Sequence, residues 1–168
     1  AEDIERVQVG SYRASLEVSG IEDPRTPAEA RFSLKYVVAH ALRHGSVRLA
    51  AFEPECLGDP TTRALMRCID ASIDPVLDAA FPAQRAAQVV VATRDGRSHS
   101  QLQPTRKGDP DAPLSDAELD AKYLELALPV IGAAQARGLL KRLWTLEQAP
   151  AGALSALSES SELTAARL

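Results

Sequence analysis

The stretch Gln88–Gln103, "QVVVATRDGRSHSQLQ", constrains this chain more than any other. Two alternating runs flank Asp95-Gly96, a pair that readily accepts the positive φ angles of a tight turn between antiparallel strands. The pair predicts a two-residue hairpin turn, with His99 across from Ala92. A hairpin alone is marginal in water, so other strands and helices must cover it.

Two further segments read as strands. Arg6–Val18 alternates, with Val7 and Val9 on one phase and Tyr12, Ala14, Leu16 and Val18 on the other. The change of phase near Gly10 predicts a β-bulge. "CIDASID", Cys68–Asp74, alternates over a shorter length.

Helices are announced by their caps. Thr26 and Glu29 form a capping box with Pro27 between them, and predict a helix that runs to about His44 and stops at Gly45. Its apolar stripe is Leu34, Val37, Val38, Ala41 and Leu42. Asp59-Pro60 predicts a shorter helix that buries Ala64, Leu65 and Cys68. Ser115 and Glu118 form a second capping box, opening a helix with Leu119, Tyr123, Leu126, Ala127 and Val130 that ends near Gly132. A last helix, about 133–148, packs Ala136, Leu139, Leu140, Leu143 and Leu146. From 150 to 168 the chain turns to Ser, Ala and Glu, the composition of a mobile tail. Strands and helices follow no regular βαβ spacing. The expected fold is therefore α+β over residues 1–149: an antiparallel sheet of about four strands with helices packed on it, plus a C-terminal helix.

Composition excludes several function classes. Net charge is −4 and aromatics are 4%, which argues against nucleic acid or an anionic membrane as partner. No apolar run spans a bilayer and no signal-peptide pattern opens the chain, so a cytoplasmic location is expected. Cys56 and Cys68 fit neither a disulfide framework nor a zinc site and read as reduced and inert.

No complete active site is visible. His40 and His44 share a helix face, but no HExxH motif and no third ligand accompany them. Ser33 lacks a GxSxG elbow, and Gly108 belongs to neither a GxGxxG nor a phosphate loop. Asp109, Asp111 and Asp116 are interrupted by prolines and read as turn and cap residues. The residues alone leave a non-catalytic ligand-binding module and a dimerisation module open.

Two longer stretches carry a resemblance. "TPAEARFSLKYVVAHALRHG", Thr26–Gly45, is similar to the helix that opens the smaller domain of the MmgE/PrpD family. "RDGRSHSQLQPTRKGDPDAPLSDAELDAKY", Arg94–Tyr123, resembles that family's hairpin and its following Lys-Gly-Asp-Pro segment, and "LLKRLWTLEQ" suits its last helix. The three occur in the family's order over about 4–148. The family includes 2-methylcitrate dehydratase, cis-aconitate decarboxylase and iminodisuccinate epimerase. The resemblance implies a lid domain of a metal-independent polycarboxylate lyase or isomerase, acting without a cofactor. It implies a small polycarboxylate as substrate and a large helical domain as partner, which would lie before Ala1 or on another chain; a homodimer is compatible. It places Arg31 and Ser33 near a substrate carboxylate and Lys107 and Gly108 near the domain junction. Lys35 stands where the family more often has an uncharged residue.

Overall fold

In a computed structural model of the chain, residues 2–150 are described; the predicted tail from 151 on lies outside them. The hairpin forms from β3 (Ala87–Thr93) and β4 (Ser98–Gln103). Its loop has three residues rather than two. The Gly96 amide donates to the Thr93 carbonyl at 2.9 Å, and the Thr93 amide to the Arg97 carbonyl at 2.9 Å. Only Gly96 takes a positive φ, 83°, the geometry of a type I turn closed by a glycine bulge. The extra residue moves the register by one, so His99 pairs with Val91, not Ala92. Asp95 rigidifies the loop: the Arg97 guanidinium and the Thr93 hydroxyl hold its carboxyl down at about 2.

The full sheet has the order β2-β1-β3-β4, with β1 at Ile4–Ser11 and β2 at Ile69–Ile73. Three of the four strands form antiparallel pairs, but β1 and β2 run parallel. The parallel pair follows from the long helical connection between them, which crosses over before returning. Val7 and Val9 point to the core beside Ile69, Ala71, Val89 and Val91. On the other face Arg6 reaches Asp70 at 3.0 Å.

The predicted strand Arg6–Val18 is cut short at Ser11, and Arg13–Val18 is helix α1. Its neighbours explain this. The pairings of β1 with β2 and β3 both end at Ser11, so a longer strand would leave its backbone unpaired. The chain instead turns, and the Asp78 carboxylate accepts from the Arg13 amide at 2.7 Å. No bulge forms at Gly10; the register shift lies between Ile4 and Arg6.

The predicted Thr26–His44 helix is two helices, α2 (Pro27–Arg31) and α3 (Leu34–His44). The Thr26/Glu29 capping box opens α2 as expected, and Gly45, with φ 75°, ends α3. Short helices α4 (Pro54–Leu57) and α5 (Pro60–Met66) follow a 3-10 turn at Leu49–Phe52. Asp59 caps α5 by accepting from the Thr62 amide at 2.6 Å. After β2, Asp74 caps α6 (Pro75–Ala80).

α3 packs against α5 and β2. Its centre is Tyr36, fully buried with Ala39, Val7, Val9, Leu65, Met66 and Ile69 in one cluster. The Tyr36 hydroxyl donates to the Ala51 carbonyl.

The chain divides into two compact units, Ala1–Ala112 and Pro113 onward. In the second, the Ser115/Glu118 capping box opens α7 (Asp116–Trp144). Gly132 breaks α7 with φ 75° and ψ 166°, where the sequence placed a boundary between two helices. Trp144 Nε1 donates to Asp120 Oδ1 at 2.6 Å. A straight helix would separate those residues by about 36 Å, so the halves fold back on each other. Tyr123 and Ala136, joined at 3.2 Å, sit between the halves.

His40 on α3 is 6% exposed, and its Nδ1 has no hydrogen-bond partner among the described residues. Burial lowers its pKa first, helped by His44 and Arg43, and opposed by Asp59. Below its ordinary pKa of 6.5 the unfolded chain therefore binds the proton more readily than the folded one. His40 stabilisation is fully present above that pH and is lost as pH falls through the lower folded value. The melting temperature should hold from about pH 8 to 7 and fall below about 6.5. His40→Gln should flatten the fall, measured by thermal denaturation across that range.

Candidate functional site

The four residues singled out from the sequence occupy two separate places. Arg31 ends α2 and Ser33 opens α3. Lys107 and Gly108 lie in the loop after β4. α3 packs on β2, one edge of the sheet, whereas β4 is the other edge, about 14 Å away at the usual strand spacing.

Arg31 is exposed and sits in the last turn of α2, not at the start of a long helix. Its guanidinium lies 5.4 Å from the centre of the Phe52 ring, within cation–π range. It makes no hydrogen bond or ion pair among the described residues. Its N–H groups are thus open to an external carboxylate. Ser33 is fully buried. Its hydroxyl accepts from the Tyr36 amide at 3.3 Å, capping α3. Phe32 separates the two helices, so the break turns Arg31 outward while Ser33 points in.

The Lys107–Gly108 loop is closed by its own contacts. The Gly108 amide donates to the Ala112 carbonyl at 2.7 Å, with φ 99° at the glycine. The Arg106 guanidinium grips Asp109 through two bonds of 2.8 and 3.1 Å and holds the Asp109 carboxyl below its usual range. Lys107 is exposed. A cavity of ≈ 420 Å³ opens beside the loop, lined in part by Arg85, Asp109 and Asp111. The Gly, Pro and Asp residues of this segment thus have a conformational purpose in the turn itself.

A larger cavity of ≈ 600 Å³ was not visible in the sequence. Its charged walls are Glu22, Asp23, Arg25, Lys35, Arg63 and Arg67. These come from the loop before α2, from α3 and from the α5 end, so no local motif announced them. Lys35 pairs with Glu22, and Asp23 pairs with both Arg25 and Arg63.

His40 and His44 do stand together, with ring centres 4.3 Å apart. Among the described residues no group of three His, Cys, Asp or Glu is placed to hold a metal ion. Cys56 and Cys68 are free thiols. No described helix is long and apolar enough to cross a membrane.

Residues 1–146 match the family model of the MmgE/PrpD C-terminal domain. No curated protein matches the chain.

The two capping serines should respond differently to substitution. Ser33→Ala leaves a buried amide unsatisfied and should cost about 2 kcal/mol. Exposed Ser115 can be replaced by water, so Ser115→Ala should cost about 1 kcal/mol or less. Urea denaturation of both variants measures the difference; equal costs would remove the buried-cap account of Ser33.

Proposed function

The chain belongs to the MmgE/PrpD family, and from this we propose that it is the smaller, lid domain of a lyase or isomerase acting on a small polycarboxylate. The observation that carries the reading is the family match over residues 1–146 of 168. The proposed reaction takes a proton from carbon next to a carboxylate, without a metal, as the resemblance implies. Negative charge then develops on the substrate, and donors fixed in a water-poor site stabilise it. In this reading a large helical domain supplies the base, and the present chain supplies the cover and a carboxylate anchor.

Arg31 is the proposed anchor. A planar guanidinium can hold a carboxylate through two parallel hydrogen bonds, which an ammonium cannot reproduce. Arg31 is exposed, its N–H groups are open, and Phe52 limits where its plane can lie. Ser33 serves the anchor indirectly by starting α3 one residue beyond the break. The Lys107–Gly108 loop, at the far sheet edge, is proposed to meet the helical domain.

The test uses the protein joined with its helical domain, assayed on 2-methylcitrate, cis-aconitate and iminodisuccinate. Turnover of one of them is expected. Arg31→Ala should lower kcat/KM by ~2–4 kcal/mol of transition-state stabilisation. The melting temperature should fall slightly, because Arg31 favours the C-terminal end of the α2 dipole and stacks on Phe52. Unchanged kinetics would take Arg31 out of the site. Absence of turnover on any polycarboxylate would favour a non-catalytic module.

A further inference from the structure

We infer that the cavity bounded by α3, α5 and the loop before α2 is a binding site for a small, multiply charged oxyanion. Four cations and two carboxylates line it, giving a local balance of 4 − 2 = +2 on a chain whose net charge is −4. Its ≈ 600 Å³ is within the usual size of a small-molecule site, ~300–1,000 Å³.

Two of the cations, Lys35 and Arg63, are held differently from the two acids, whereas Arg25 and Arg67 are exposed. The Arg63 side chain is 21% exposed and Lys35 23%. Arg63 is fixed by its own backbone acceptors: Nε donates to the Leu57 carbonyl at 2.8 Å, and Nη2 to the Pro24 carbonyl. The carboxylates lie on the outside. Glu22 is 70% exposed and Asp23 58%. Ion pairs to such exposed acids contribute little, so these acids are readily displaced, whereas Lys35 and Arg63, which they touch, are already in place. Preorganised donors facing loosely held acceptors favour exchange for a better anion.

Arg67 completes the site. Its side chain makes no hydrogen bond or ion pair among the described residues, although it lines the same cavity. An entering dianion would take Lys35 from Glu22 with one anionic group and meet Arg63 and Arg67 with another. Arg31 plays no part, because it is not among the lining residues. The assignment does not depend on the enzyme reading.

Calorimetric titration of the 168-residue chain tests it, with tricarballylate and inorganic phosphate as probes at matched ionic strength. One or both should bind with Kd near or below about 1 mM. Tighter binding of tricarballylate assigns the site to carboxylates, and tighter binding of phosphate assigns it to phosphate groups. Arg67→Ala, which removes no hydrogen bond or ion pair among the described residues, should weaken binding by roughly tenfold. Lys35→Met should do the same. Glu22→Gln should strengthen binding several-fold, because it frees Lys35. Arg106→Ala, on the loop after β4, is the control and should change nothing. No binding up to about 10 mM, equal weakening by Arg106→Ala, or weaker binding by Glu22→Gln would overturn the site. Binding without turnover in the joined protein would leave the cavity assigned and remove only the lid reading; turnover without binding here would do the reverse.

Discussion

A fully buried tyrosine must donate its hydroxyl hydrogen bond to an acceptor, or the burial is too costly to keep. The Tyr36 hydroxyl donates a hydrogen bond to the Ala51 carbonyl, and burial raises its pKa, keeping the phenol neutral. That single bond ties α3 to the 3-10 turn before α4. It also fixes how far α3 sits from the sheet, since Val7, Val9 and Ile69 close around the same ring. The Ser33 cap begins the helix one turn earlier, and Arg43 secures its far end by pairing with Asp59 and donating to Thr62 at 2.7 Å. The Thr62 amide above all, with the Thr62 hydroxyl and Arg43, keeps the Asp59 carboxyl below its ordinary range. α3 and α5 therefore meet through apolar packing at one level and a satisfied polar node at the next. Lys35 of the charged cavity stands on α3, and Arg63 and Arg67 stand on α5 and its end.

Local rules were legible in the sequence. Both capping boxes and the Asp59-Pro60 start lie where they were expected, because a cap depends on residues within one turn. The four strands and the break at Gly132 were likewise readable. The same Asp-Pro signal stands at Asp74-Pro75, the start of α6, but the alternation of Cys68–Asp74 makes it read as the end of a strand. The break at Phe32–Ser33 carries neither glycine nor proline, so nothing there marked the Thr26 capping box as the start of a separate short helix.

Other features depended on distant partners. Arg13–Val18 alternates like a strand, but whether a strand continues is decided by its neighbours, and these stop at Ser11. The parallel pairing of β1 with β2 was hidden for the same reason: the antiparallel hairpin says nothing about strands far away in sequence. The charged cavity gathers positions 25, 35, 63 and 67, which look like scattered surface cations along the chain. The family resemblance covered the chain well, yet it could not show that Ser33 is buried while Arg31 is exposed.

The strand order has a consequence for any attempt to divide this domain. β1 comes first along the chain but stands in the interior of the sheet, and β2 has no neighbour except β1. Val7 meets Ile69 across 62 intervening steps of chain (69 − 7), and Val9 meets Val89 across 80 (89 − 9). Among the described strands only the β3–β4 hairpin closes locally. Removing β1 would therefore not trim the sheet at its margin; it would leave a lone strand on one side and a lone hairpin on the other. A cleavage boundary drawn a dozen residues into the chain would dismantle the domain as thoroughly as one drawn through its middle.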